Sequence, residues 1–133
     1  MFKASSAMTR NPVVVNRGTG VYEAISLMID NEVAGLPVVN ADGTVAGIIT
    51  ERDVLKLLYD AEDQQKTVEH FLTEDVVTFD EDDSLIDITE CFLANPFRRV
   101  IITSGGRISG VVSRRDIIQY ILNLRQKKLV DAG

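Results

Sequence analysis

The sequence has very little cysteine and histidine, and each shortage argues against a class of function. Cys91 is the only cysteine and His70 the only histidine among 133 residues. An internal disulfide is therefore impossible, and a zinc site or a nucleophilic catalytic triad has little support. Cys91 falls at an apolar position of a predicted helix, which favours core packing over redox chemistry. We assign it no function.

Long apolar runs are also missing. None approaches the roughly 20 residues that span a bilayer, and the first ten residues, MFKASSAMTR, lack the apolar segment of a secretion signal. The formal net charge of −6 argues against nucleic acid or an anionic membrane as the main partner. With 45% hydrophobic and 26% charged residues, the chain is predicted to be a cytoplasmic protein of compact globular type.

One stretch of the chain is built twice. GIITERDVL at residues 47–55 is matched by GVVSRRDII at residues 110–118, an offset of 63. Upstream, residues 8–28 match residues 72–92 at an offset of 64, so the second copy has lost one residue near the position of Gly35. Self-similarity over nearly the full length indicates two copies of one supersecondary unit, each too small to bury its apolar faces alone.

Each copy predicts the element order β-α-β-β-α, read from apolar periodicity and turn residues. The predicted helices cover 21–33, 51–63, 84–95 and 114 to about 128. Short strands precede the first helix of each copy, at 12–15 and 76–79, and a hairpin follows it. The predicted fold mixes helices and strands (α/β in the broad sense, α+β in the narrow sense). Its two repeats cover 1–62 and 71–133 and form one compact module. A polar linker over 63–70 joins them.

The repeated stretch places a helix directly after a strand. A hydroxyl residue with an acid three positions later, Thr50 with Asp53 and Ser113 with Asp116, resembles a helix capping box. The same first turns contain three basic residues: Arg52, Arg114 and Arg115. Cations at a helix N-terminus are unfavourable by roughly 0.3–1 kcal/mol each, and a bound phosphate would remove the conflict. Capping with solvated arginines and binding of a phosphate-bearing ligand both stay open.

Two other motifs have a simpler explanation. The acids of FDEDDS (79–84) lie just before a predicted helix, where they favour its dipole and are usually solvated, so we predict no metal site. GTG (18–20) lacks the rest of a dinucleotide or phosphate-loop fingerprint and is interpreted as a turn. No set of residues combines a nucleophile with its base, so no catalytic residue is predicted and the protein is not expected to be an enzyme.

The chain resembles a pair of cystathionine β-synthase (CBS) domains, the Bateman module, over nearly its full length. The resemblance rests on the signature Gly-h-h-Thr/Ser-x-x-Asp at 47–53 and 110–116, on GLPVVNADGTVAG (35–47), and on the MT-x-x-P opening at 8–12. It implies two pseudo-twofold-related repeats, two clefts between them, and regulatory binding of AMP, ADP or ATP with no required cofactor. It also implies a homodimer.

The resemblance also implies roles for individual residues. Asp53 and Asp116 would accept hydrogen bonds from ribose hydroxyls, with Thr50 and Ser113 near the ribose and phosphate. Arg98 matches a basic position that reaches phosphate in the family. Arg52, Arg114 and Arg115 are nucleotide-binding candidates because of their place at a helix N-terminus, not because of the resemblance. The leading segment of each repeat would form the adenine-side wall of the cleft that holds the other repeat's aspartate: Thr9, Val13 and Val14 in the first, and Thr73, Val77 and Thr78 in the second.

Two functions of different class follow. The first is a regulatory module that binds adenine nucleotides and controls an unknown effector protein; the alternative is a CBS-fold dimerisation scaffold with no nucleotide bound. Retention of both acids and both hydroxyls favours binding. The cleft of Ser113 and Asp116 should hold phosphate more strongly than that of Thr50 and Asp53. The second repeat places Arg98, Arg114 and Arg115 near its helix start, whereas the first offers Arg52 beside Glu51, and Gly35. The second repeat departs from the family pattern at Val100, where a proline is usual.

Overall fold

The computed structural model describes residues 2–59 and 66–132, with side chains described as far as Lys128. The chain divides into two compact units. Unit 1 takes the described residues up to Pro12, Val77–Gly105 and those from Ser109 onward, and unit 2 takes those within Val13–Val76 together with Gly106–Ile108. The N-terminal segment therefore folds with the second repeat. The repeat limits taken from the sequence stay a prediction.

Both units mix helices and strands, and the predicted α+β class is confirmed. The strands are β1 (Thr9–Arg10), β2 (Val15–Asn16), β3 (Gly35–Val39), β4 (Val45–Thr50), β5 (Thr78–Asp80), β6 (Arg99–Ser104) and β7 (Arg107–Ser113). The helices are α1 (Val21–Asp30), α2 (Glu51–Leu55), α3 (Leu85–Ala94) and α4 (Arg114–Ala132). Short 3₁₀ turns occur at Ala4–Ser6, Lys56–Tyr59 and Val68–His70.

Unit 2 contains a sheet in the order β2-β3-β4, in which β2 is parallel and β4 antiparallel to β3. The first four residues of β3 are all buried, as expected for a central strand covered on both faces. Helix α1 buries Val21, Ala24 and Met28, which share one face at helical spacing. Val68, from the predicted linker, is fully buried in the same core. Residues 63–65 of that linker lie outside the described residues.

Unit 1 contains a sheet in the order β1-β7-β6-β5. Strand β1 is antiparallel to β7, and β5 is parallel to β6. The core of unit 1 is formed by this sheet with helices α3 and α4, and it includes the fully buried Ile88, Ile102 and Val112. Ala4, from the N-terminal 3₁₀ turn, is also fully buried there. Ala4 in unit 1 and Val68 in unit 2 therefore occupy equivalent core positions.

The predicted helices exist, but their ends differ from the prediction. Helix α1 ends at Asp30 because Glu32 adopts a left-handed conformation (φ 54°) and closes a C-terminal turn. The predicted helix 51–63 is α2 followed by a tighter 3₁₀ turn to Tyr59, and its last residues lie outside the described residues. Helix α4 extends to Ala132, past the predicted end. Among the described helices, none combines the length and apolar character needed to cross a bilayer.

Candidate functional site

The Asp53 cluster consists of Thr50, Asp53 and Thr73, all in unit 2. Thr50 is the N-cap of α2, and its hydroxyl accepts a hydrogen bond from the Asp53 backbone N–H (3.3 Å). The Thr50 backbone N–H and hydroxyl both donate to the Asp53 Oδ2 atom, at 2.9 and 3.0 Å. The Thr73 hydroxyl donates to the same carboxylate from the other side, at 3.1 Å to Oδ1. Asp53 is only 7% exposed.

The Asp116 cluster is its equivalent in unit 1 and consists of Thr9, Ser113 and Asp116. The Ser113 backbone N–H donates to Asp116 Oδ2 (2.8 Å), and the Asp116 N–H donates to the Ser113 hydroxyl (3.0 Å). The Thr9 hydroxyl donates to Asp116 Oδ1 at 3.3 Å. Each aspartate is therefore joined to the threonine that opens the other repeat's leading segment.

The two carboxylates differ in how many of their acceptor positions are used. A carboxylate offers about four lone-pair positions. Asp53 receives three protein donors, from the Thr50 N–H, the Thr50 hydroxyl and the Thr73 hydroxyl. Asp116 receives two among the described residues, from the Ser113 N–H and the Thr9 hydroxyl, and it is less deeply buried. The Asp116 carboxylate therefore retains more capacity to accept bonds from a ligand.

Two glycines allow the threonines to reach the aspartates. In β4, a Cβ on Gly47 would collide with the backbone carbonyl oxygen of Thr73 and lie 2.7 Å from a Leu72 methyl carbon. In β7, a Cβ on Gly110 would lie 2.7 Å from the Thr9 carbonyl oxygen. In the sequence, both glycines stand out only as the first residue of the repeated signature. A glycine inside a strand is itself a signal of close backbone approach, and that signal could have revealed this role.

Arg114 has a different place from the one its sequence position suggested. Its side chain reaches back to the end of α3, where Nη2 donates to the carbonyl oxygens of Phe92 and Asn95, both at 2.9 Å. Its Nε donates to the carbonyl oxygen of Phe97 at 3.2 Å, and the guanidinium carbon lies 5.8 Å from the centre of the Phe92 ring. Carbonyls at a helix C-terminus favour a cation. These contacts explain how an arginine is tolerated in the first turn of α4.

The other predicted basic residues have exposed side chains. Arg98 lies just before β6, and its backbone carbonyl accepts a hydrogen bond from the Arg114 backbone N–H at 2.9 Å. Arg115 directly precedes Asp116 in the first turn of α4, and Arg52 directly precedes Asp53 in α2. Within the described parts of the chain, none of these three side chains has a hydrogen bond or an ion pair. Arg98 and Arg115 therefore offer unpaired positive charge in unit 1.

The remaining predicted residues divide between the units. Val13 and Val14 lie in unit 2 and Thr9 in unit 1, while Val77 and Thr78 lie in unit 1 and Thr73 in unit 2. The structure therefore joins only the threonine of each leading segment to the opposite aspartate. Thr78 opens β5, opposite Ile101, and Val13 and Val77 are 38% and 44% exposed. The adenine-side role of these four residues stays a prediction.

An apolar groove lies on the surface of unit 1 between α3 and α4. Its volume is about 240 Å³, and Phe92, Ile117, Ile118 and Ile121 line it together with Arg114. Leu93, which also lines it, is 83% exposed, and Ile118 is 66% exposed. Over residues 2–59 and 66–132, no group of three or more histidine, cysteine, aspartate or glutamate side chains is placed to hold a metal ion.

The fold and the paired clusters define a module of two repeated α+β units, each with a hydroxyl–carboxylate pair at the start of a helix. A CBS domain profile matches the chain twice, over residues 4–60 and 68–123. The chain therefore belongs to the CBS domain family.

Comparison with known proteins gives the same family. The uncharacterized protein MJ1225 of Methanocaldococcus jannaschii is 30% identical over 114 residues, which make up 86% of this chain and 41% of that protein. The chain thus spans less than half the length of that relative. CBSX2 of Arabidopsis thaliana in complex with AMP is similar in structure, with a TM-score of 0.85, 23% identity, and coverage of 94% of this chain and 99% of that one.

A second similar structure is the CBS domain pair of protein MJ0100 in complex with 5′-methylthioadenosine and S-adenosyl-L-methionine. Its TM-score is 0.77 and its identity 23%, over 92% of this chain and 98% of that one. At this level of identity, both structures establish the shared fold.

Proposed function

We propose that this chain is a regulatory module that binds an adenine nucleotide, AMP, ADP or ATP, and has no catalytic activity of its own. The observation that supports this most directly is the Asp116 cluster. Among the described residues, protein donors use two of its roughly four acceptor positions, which leaves about two. A ribose presents two neighbouring hydroxyl donors, so the number of free acceptors matches the number of donors in the sugar.

The charge around the same cluster supports a phosphate-bearing ligand. Arg115 adjoins Asp116 in sequence, and the backbone of Arg98 is bonded to the first residue of α4. Both side chains are exposed, and arginine forks make strong charge-assisted bonds to phosphate. The AMP complex of CBSX2 and the adenosyl ligands of the MJ0100 pair agree with an adenosine-containing ligand.

The Asp53 cluster is the weaker candidate of the two. Its carboxylate already receives three protein donors, and the alignment of the two repeats pairs Arg98 with Gly35, the first residue of β3, which has no side chain. The three donors leave about one free acceptor position, so the second hydroxyl of a ribose would have to displace Thr50 or Thr73 from the carboxylate. We therefore expect the Asp116 site to be occupied first and to discriminate more strongly between nucleotides and adenosine.

Calorimetric titration of adenosine, AMP and ATP tests this proposal. Asp116→Ala should weaken AMP binding by about tenfold or more, since hydrogen bonds to charged groups contribute about 1.5–3 kcal/mol. Asp87→Ala is the matched control, because Asp87 is an exposed acid in the first turn of α3 and its loss removes a similar helix-dipole interaction. If the wild-type protein binds none of the three ligands, the scaffold alternative replaces nucleotide binding.

We also propose that the chain forms a homodimer through the groove between α3 and α4. The exposed apolar side chains there, Leu93, Ile118 and Ile121, are 83%, 66% and 59% exposed. They adjoin one another around a single apolar depression, which is the character of a protein contact surface. A second copy would offer the same apolar face, as an isologous twofold interface requires.

A further inference from the structure

The alignment of the two repeats places their one-residue difference after the first helix of each repeat. Five residues, 31–35, lie between Asp30 and Leu36, whereas four residues, 95–98, lie between the equivalent residues Ala94 and Arg99. After α1, the Val33 N–H donates to the Met28 carbonyl (3.0 Å) and the Glu32 N–H donates to the Ile29 carbonyl (3.2 Å). This pair of bonds around a left-handed Glu32 is a Schellman motif, which satisfies the last carbonyls of the helix.

The shorter connection after α3 does not form this motif. Asn95 is extended there (φ −136°, ψ 155°) instead of leading into a left-handed residue. The Phe92 carbonyl, which is equivalent to that of Met28, accepts its bond from the Arg114 guanidinium instead. In the first repeat, Glu51 holds the position of Arg114, and a glutamate has no cationic donor to offer. The Arg114 guanidinium thus takes the place of the backbone N–H donor that caps the equivalent carbonyl in the first repeat.

Arg114 also fixes the rest of this connection. Its guanidinium holds the carbonyls of Asn95 and Phe97, and its backbone N–H holds the carbonyl of Arg98. One residue at the start of α4 therefore makes contacts along the whole segment from the end of α3 to Arg98. Pro96, within that segment, has no N–H with which to stabilise it in another way.

The donors that Arg114 uses are those it would need for a ligand. Arginine binds phosphate best through two parallel N–H groups on one edge of the guanidinium. The Nε donor and the Nη2 group are bonded to protein carbonyls. A guanidinium has two edges with paired N–H groups, one formed by Nε and Nη2 and the other by Nη1 and Nη2. Both edges include Nη2, which is already bonded to protein carbonyls. Binding a phosphate through such an edge would release part of the connection.

We infer that Arg114 is a positioning residue that holds the segment 95–98, and with it Arg98, at the start of α4, and that it does not bind the ligand itself. This rests on the proposed function, in which Arg98 binds phosphate. Arg98 and Arg114 then act as one unit toward phosphate. Loss of either should remove the same advantage of ATP over adenosine.

The test is a double-mutant cycle read as the ratio of ATP affinity to adenosine affinity. Arg98→Met and Arg114→Met should each lower this ratio by about tenfold, and the double variant should lower it no further. Arg125→Met is the matched control, because Arg125 is an exposed arginine on the same helix, and its ratio should equal that of the wild type. A further drop of about tenfold in the double variant would mean that Arg114 contacts phosphate independently, and would overturn the proposal.

A second readout does not depend on any ligand. Hydrogen exchange of the peptide covering residues 92–99 should be faster in Arg114→Met than in Arg125→Met, because the carbonyl contacts are lost. Unchanged exchange there would overturn the positioning role even if nucleotides bind. Failure of the wild type to bind adenosine and ATP would overturn the proposed function, and with it the role toward phosphate. Should Arg114→Met not fold, Arg114→Lys, which keeps the charge but not the fork, replaces it in both measurements.

Discussion

Replacing Gly47 by alanine tests the close approach of strand β4 to the segment that contains Thr73. The new Cβ would collide with the Thr73 carbonyl oxygen and lie 2.7 Å from Leu72 Cδ1, where carbon atoms normally rest about 3.5–4.0 Å apart. A side-chain rotation could relieve the contact with Leu72. The contact with Thr73 involves backbone, so the two segments must separate.

That separation has a calculable cost. The Ile48 N–H donates to the Thr73 carbonyl at 2.9 Å, and the Thr73 N–H donates to the Ile48 carbonyl at 2.8 Å. Each such bond contributes about 0.5–1.5 kcal/mol, and overpacking costs about 1–3 kcal/mol. The free energy of unfolding should therefore fall by about 2–6 kcal/mol. With a urea slope of about 2 kcal/mol per molar, the midpoint should drop by about 1–3 M.

Urea unfolding followed by circular dichroism measures this shift. Gly18→Ala is the matched control, because a Cβ there meets only the Asn16 side chain at an ordinary 3.4 Å and the backbone is not left-handed. Its unfolding free energy should change by less than about 1 kcal/mol. Equal midpoints for Gly47→Ala and Gly18→Ala would refute the argument that these two segments cannot move apart without loss.

Two further predictions concern unit 1. Gly110→Ala should also destabilise the protein, but by less than Gly47→Ala. Its Cβ meets the Thr9 carbonyl at 2.7 Å and otherwise only the flexible Met8 side chain. A larger midpoint shift than that of Gly47→Ala would contradict this ranking. Ile118→Asp should shift a homodimer to monomers, because it introduces a charge into the apolar groove. Light scattering measures the change, and Gln126→Asp is the exposed control on α4. A wild-type protein that is monomeric at high micromolar concentration would exclude the dimer.

The sequence determined the element order because its signals are local. Apolar spacing predicts a helix face of Val21, Ala24, Ile25, Met28 and Ile29. Val21, Ala24 and Met28 are buried in α1, whereas Ile29 is 70% exposed. The hydroxyl and acid at Thr50 and Asp53 predict a capping box, and both of its bonds are present. Such patterns need only neighbouring residues, so they can be seen without the fold. The match between the two halves of the chain extended the same prediction to both repeats.

Long-range pairings were beyond the reach of local patterns. Strand β1 has only two residues, Thr9 and Arg10, and it exists because β7 offers it partners. Its pairing brings Thr9 to Asp116 across 107 positions of sequence. Family resemblance implied that a leading segment serves the other repeat's aspartate, but no composition or spacing in the chain required it.

Arg114 shows which facts the sequence determined by itself and which required the tertiary structure. The sequence alone determined that a cation stands in the first turn of a helix, where the dipole disfavours it, and that one residue is missing from the second repeat. Only the tertiary structure connected these facts, because the side chain of Arg114 binds carbonyls 17 to 22 positions away. An unpaired carbonyl at a helix end must find a donor. Which donor reaches it depends on how the chain returns to that point in space.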